Sequence, residues 1–193
     1  MSRKRQASLR SAWLTILCLL AVTGCGGNGG GDYGSPPPDY ARVLAGAPRP
    51  LASLYAQANR LLPGGADAFA KRLRSLRGHP VVVNQWASWC EPCRAEFPLF
   101  QRATAKLGRR VAFVGVDSQD SDDAARTFLR EYPLAYPSFT DPDKQIAKLL
   151  EATLGLPDTA FYDAGGRLVY TKQGQYSNQA ELYADIHRYA LGG

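Results

Sequence analysis

Three features of this chain predict an α/β fold with a central mixed β-sheet flanked by helices. Two nearly continuous apolar runs, Val81–Ala87 and Val111–Val116, read as strands buried on both faces. A helical stretch from Glu91 to Leu107 separates them, so they should lie parallel, joined by a right-handed crossover. Two shorter β-rich segments, Thr159–Tyr162 and Leu168–Lys172, are linked by Asp163-Ala164-Gly165-Gly166-Arg167 and read as an antiparallel hairpin. A length of 193 residues, 45% of them hydrophobic, is enough for one well-buried domain plus additional segments.

The chain opens with Arg3, Lys4, Arg5 and Arg10 and no acid, followed by an apolar run from Ala12 to Val22. This is the layout of an export signal, and ~11 apolar residues are too few to span a bilayer as a stable helix. Val22-Thr23-Gly24-Cys25 resembles the bacterial lipobox, which implies a signal over 1–24 and a lipidated Cys25 as the new N-terminus. An unmodified Cys25 beside an ordinary cleavage site is the alternative. Between Gly26 and Pro38, nine of thirteen residues are glycine or proline, so 25–47 reads as a flexible tether holding a domain off a membrane. The leader also accounts for most of the charge. Removing it takes away four of the twenty-three Lys and Arg and none of the seventeen acids, which lowers the net charge from +6 to +2. Nucleic acid is therefore not an expected partner.

Residues 48–77 read as a helical extension. A helix over Pro50–Leu62 is stopped by Pro63-Gly64-Gly65, and a second covers Ala66–Leu76, with Lys71, Arg72, Arg74 and Arg77 on a solvated face. The Glu91–Leu107 helix carries Pro98, which should kink it. Ser121 caps a helix to Tyr132, another helix is expected over Asp141–Thr153, and Asn178–Leu191 closes the chain.

The chemistry sits in Trp89-Cys90-Glu91-Pro92-Cys93, directly after the first strand and at the start of the helix. A thiol there meets free backbone N–H groups and the positive end of the helix dipole, so it can ionise near neutral pH. A second thiol one turn on can reach the first sulfur, and Pro92 suits the first turn, where its missing N–H costs nothing. Covalent haem attachment would need a histidine at 94, where Arg94 stands. A structural zinc would need two more ligands, yet the histidines are only His79 and His187 and the other cysteines, Cys18 and Cys25, belong to the leader and lipobox. Neither a metal nor a cofactor is expected beyond a redox-active Cys90–Cys93 disulfide.

The run from Val82 through Trp86-Ala87-Ser88-Trp89-Cys90-Glu91-Pro92-Cys93 to Glu96-Phe97-Pro98 resembles the TlpA/ResA-type thioredoxin-like family. So do Val114-Gly115-Val116-Asp117, Gly155-Leu156-Pro157 and Phe161-Tyr162-Asp163. The resemblance covers 78–193 and implies a thioredoxin-like domain with an extra crossover helix between Asp117 and Pro157. It implies a membrane-anchored thiol–disulfide oxidoreductase on the outer face of the cytoplasmic membrane. Its partners would be protein disulfides or dithiols and a membrane thiol electron carrier, with apocytochrome cysteines as one class of client. Cys90 would be the exposed attacking thiol and Cys93 the resolving one. Glu96, three residues on and on the same helix face, would take the Cys93 proton, a solvated helix acid being the alternative. Pro157 would be a cis-proline facing the disulfide, or else an ordinary loop proline. Trp89 would shield the disulfide, or else serve only as core.

Three departures from the family stand out. Asn84 occupies a position where thioredoxin has a buried aspartate, so proton transfer passes to Glu96 or water. Residues 50–77 look helical where a β-hairpin is common. Asp158 follows Pro157, and together with Glu91 it would raise the Cys90 pKa if it faces that thiol. Three other readings remain: an oxidase using the same pair, a non-catalytic module holding a client or Cu(I) through its thiols, and a peroxiredoxin, for which the threonine-rich loop is missing.

Overall fold

The computed structural model describes residues 39–152 and 154–193. The predicted leader over 1–24, the lipidated Cys25 and the tether up to Pro38 lie outside the described residues. Among those described, no helix is long and apolar enough to cross a membrane.

The first corrections concern the N-terminal third. Asp39 accepts the Arg42 N–H at 3.2 Å and caps a short helix, α1 (Tyr40–Val43). Tyr40, Val43, Leu44 and Ala47 recur at helical spacing; Leu44 is buried and the other three pack against the core. The tether expected to reach residue 47 thus gives way to folded chain by Asp39. Helix α2 (Arg49–Tyr55) buries Leu51, Leu54 and Tyr55. The Tyr55 hydroxyl donates to Val111 O at 2.7 Å and accepts the Phe113 N–H at 3.3 Å. The helix expected to run to Leu62 stops early, at a turn where Asn59 adopts φ +60°. Asn59 then donates to Leu129 O and accepts the Leu134 N–H.

Beyond that turn Leu61–Leu62 forms a strand, β1, whose backbone groups find partners on a sheet edge. Helix α3 (Gly65–Ser75) follows, with Phe69 fully buried and Lys71, Arg74 and Arg77 exposed. Residues 48–77 are therefore built into the sheet and its core, rather than forming a helical extension.

The remaining elements are β2 (Val81–Trp86), α4 (Glu91–Leu107), β3 (Ala112–Ser118), α5 (Asp122–Glu131), β4 (Ser138–Asp141), α6 (Gln145–Leu149), β5 (Asp158–Tyr162), β6 (Leu168–Gln173) and α7 (Gln179–Asp185), which continues as a wider turn over Ile186–Ala190. The six strands are ordered β1-β4-β3-β2-β5-β6, with the first four parallel and the last two antiparallel. Strand β4 was not expected, and the helix predicted over Asp141–Thr153 shrinks to α6. Asp141 ends β4 and caps α6 from outside, its two oxygens each accepting at 2.9 Å from the Ile146 and Ala147 N–H groups. Helix α4 is assigned continuously through Pro98.

Register decides where the chemistry lies. Gln85 on β2 faces Asp158 on β5. The end of β2 that leads towards Cys90 and the start of β5 after Pro157 thus meet at one end of the sheet.

Candidate active site

Cys90 is the N-cap of α4, and its Sγ accepts the Cys93 N–H at 3.2 Å. The two cysteines form a disulfide with Cα atoms 5.3 Å apart. The local sequence accounts for this placement, since β2 ends at Trp86, the turn closes with Cys90 N–H on Ala87 O, and Pro92 sits in the first helical turn. Cys93 is fully buried, and Cys90 keeps only 3% of its surface. The expectation of an exposed attacking thiol is therefore corrected for this oxidised state: the sulfur of Cys90 lies under its neighbours. Trp89 is 61% exposed, so it is not a core residue, and its ring N–H donates to Gln119 O at 3.0 Å.

Glu96 is fully buried, which removes the alternative of a solvated helix acid. One carboxyl oxygen accepts Asn84 Nδ2–H at 2.9 Å and the other accepts the Tyr176 N–H at 3.2 Å. Burial pushes its pKa up to about 8, against the pull of the two hydrogen bonds and of the Lys172 charge. The Lys172 ammonium itself donates to Gly174 O and Gln175 O and lies 4.6 Å from the Tyr176 ring centroid. Asn84, at the position where thioredoxin has a buried aspartate, donates to the carboxyl one turn beyond Cys93.

Pro157 is buried and its peptide bond with Leu156 is cis. Asp158, beside it, is 1% exposed with both carboxyl oxygens lacking a hydrogen-bond partner. Burial raises its pKa to about 6, opposed by the Gly174 N–H and the Lys172 charge. The Gly174 N–H bonds Pro157 O at 2.9 Å, so its help to the carboxylate is electrostatic only. Glu91 pairs with Arg94 at 3.4 Å on the exposed side of the first turn, a contact of little energetic weight. Among the described residues no group of three or more His, Cys, Asp or Glu side chains is placed to hold a metal ion.

Residue-by-residue reading missed a second set of groups here. Asp120 accepts the Ser88 N–H at 2.6 Å, and Asp117 is buried beside it at the end of β3. An aspartate closing an apolar strand was the available signal for Asp117. Nothing in the sequence marks Tyr176 or Lys172.

The family model described as AhpC/TSA matches residues 62–171. The thiol:disulfide interchange protein HelX of Rhodobacter capsulatus is 34% identical over 126 residues, 63% of this chain and 68% of HelX. The thiol-disulfide oxidoreductase ResA of Bacillus subtilis is 31% identical over 106 residues, 53% of this chain and 59% of ResA. The chain spans less than two thirds of the ResA proteins of Bacillus subtilis and Bacillus thuringiensis that it matches. Among solved structures, MTB DsbF superposes with a TM-score of 0.54 at 30% identity, covering 60% of this chain and 84% of that one. A secreted Mycobacterium tuberculosis disulfide oxidoreductase gives a TM-score of 0.53 at 27% identity, covering 60% and 85%. The fold is thioredoxin-like, with a mixed six-stranded sheet flanked by helices.

Proposed function

The chain belongs to the AhpC/TSA family of thioredoxin-like proteins, and from that premise we propose that it is a thiol–disulfide oxidoreductase reducing disulfides in exported proteins. The observation that carries this reading is the Cys90–Cys93 disulfide at the α4 N-terminus, with the buried Glu96 one turn further along the same face. In the reduced protein the Cys90 thiolate attacks a client disulfide, forming a mixed disulfide and releasing one client thiolate. The Glu96 carboxylate takes the Cys93 proton, and the Cys93 sulfur attacks Cys90 Sγ. The second client thiol leaves and the Cys90–Cys93 bond re-forms. A Glu96 pKa near 8 is close to that of an ordinary thiol, so the proton moves with little energetic mismatch.

The acidic surroundings support reduction over oxidation. Glu91 directly follows Cys90 and opposes a thiolate there, while the buried Glu96 one turn beyond Cys93 supplies no positive charge to stabilise one. Strong oxidants of this fold owe their potential to a stabilised thiolate in the reduced state, so its destabilisation lowers the potential. A measured potential near thioredoxin's about −270 mV is expected, and one near about −120 mV would make the protein an oxidase. Cys93→Ser is expected to trap mixed disulfides with client proteins. Tight Cu(I) binding without any trapped client would favour the holding module instead.

The reading extends to place and partners. The lipobox at Val22–Cys25 supports lipidation of Cys25 and work on the outer face of the cytoplasmic membrane. There a membrane thiol carrier would re-reduce the pair, and apocytochrome cysteines are the client class implied by the family resemblance. Incorporation of a labelled fatty acid, lost in Cys25→Ser, tests the anchor.

A further inference from the structure

The loop that delivers Cys90 is held at two points by one short segment. Asp120 Oδ2 accepts the Ser88 N–H at 2.6 Å, and Gln119 O accepts the Trp89 ring N–H at 3.0 Å. Gln119 adopts φ +56°, which turns the chain between β3 and α5 so that both acceptors face the loop. Asp120 Oδ1 also accepts the Ser121 N–H at 2.8 Å, and the N-terminus of α5 begins at the next residue. Two backbone N–H groups and the start of α5 thus converge on the Asp120 side chain.

Asp117 has the opposite surroundings. It is 2% exposed, is paired in register with Trp86 on β2, and has one oxygen without any partner. Its carboxyl lies within hydrogen-bonding reach of Asp120, and two carboxyls in contact need a proton between them. Asp122 on α5 and Asp141 on β4 add negative charge from the neighbouring elements, while Arg126 is drawn to Asp122 and Asp123. Lys144, Gln119 and Gln85 line one small cavity.

We propose that Asp117 and Asp120 share one proton, carried by Asp117, and that this pair sets the position of the active-site loop. Asp120 is then a positioning residue acting through Ser88 on Trp89 and Cys90. Losing the proton places a second negative charge beside Asp120, weakens its hold on Ser88 and opposes a Cys90 thiolate. Burial, with the nearby aspartates, lifts the Asp117 pKa to about 8, so the loop is held below that pH and released above it. This inference rests on the oxidoreductase reading for its consequence, although the shared proton stands by itself.

The test uses the oxidised protein, in which no active-site thiol titrates. The Ser88 amide proton shift and the Trp89 fluorescence are followed between pH 6 and 9.5. Both should titrate together in the wild type. The titration should persist in Glu96→Gln, which removes the other buried acid of similar pKa, and vanish in Asp117→Asn. Asp120→Asn, a second route should Asp117→Asn fail to fold, should move the Ser88 shift upfield and abolish its titration. A wild-type Ser88 shift that does not change with pH, or one that titrates unaltered in Asp117→Asn, overturns the proposal. In the reduced protein Asp120→Asn should slow disulfide exchange by about tenfold at pH 7. A wild type that titrates at Ser88 but reduces no insulin disulfide supports the shared proton and sinks the oxidoreductase reading.

Discussion

Glu96 carries the sharpest consequence of any single side chain. Its folded pKa of about 8 lies above the unfolded carboxyl value, so its contribution to stability is fully present at low pH. That contribution is lost as pH rises through the window up to about 8, at roughly 1.4 kcal/mol per unit. Glu96→Gln is expected to flatten this slope in urea unfolding measured from pH 4 to 9. The variant is not free of cost, because Asn84 and Tyr176 both donate to the carboxyl and an amide offers only one oxygen. One donor then faces an NH2 group, which lowers stability at pH 5 by about 1–3 kcal/mol. Single-turnover resolution of a mixed disulfide should slow by about 10²-fold, the low end for a lost general base. An unchanged resolution rate would leave Glu96 with a structural role only.

At the scale of elements, legibility followed apolar run length. Strands β2 and β3 were readable because each is a long stretch buried on both faces, and α5 because Ser121 caps it and its Oγ accepts the Ala124 N–H. Strand β4 was hidden because Ser138–Asp141 is four residues long and follows Pro137. Strand β1 was hidden because two leucines suit a helix equally well. Both are specified by tertiary fit, and Gly115 is the point where that fit is tightest. It faces Ser138 in the parallel register, and Ser138 Oγ accepts the buried Trp86 ring N–H at 3.1 Å. A methyl group on residue 115 would overlap Ser138 and crowd Trp86, both backed by core. Gly115→Ala should therefore separate β3 from β4, with a loss of about 3 kcal/mol or more in chemical denaturation. A loss below ~1 kcal/mol would mean that Ser138 moves aside freely. Within the site, the cysteine pair was legible from its spacing at a helix start, and Glu96 from the family resemblance. The Tyr176 and Asp120 contacts were not, since they join residues 80 and 32 positions apart.

The whole molecule couples these features through the stability of its two redox states. The domain is folded around an oxidised pair whose sulfurs are almost completely covered, Cys90 at 3% and Cys93 at 0% exposure. Reduction must place two thiols in that space, and any thiolate must coexist with Glu91 in the same helical turn and with Glu96 one turn beyond Cys93. Neither favours the charge, and the α4 N-terminus offsets them. The oxidised form should therefore be the more stable one, and by linkage a more stable oxidised form means a lower reduction potential. Chain entropy alone contributes about 2 kcal/mol for a closed loop of this size. For a domain of this length that corresponds to a melting midpoint about 4–8 °C higher in the oxidised protein. Differential scanning calorimetry of both forms at pH 7 measures it directly. A reduced form melting at or above the oxidised one would mean that the thiolate is stabilised after all, and the direction of electron flow would then run from client dithiols into this disulfide.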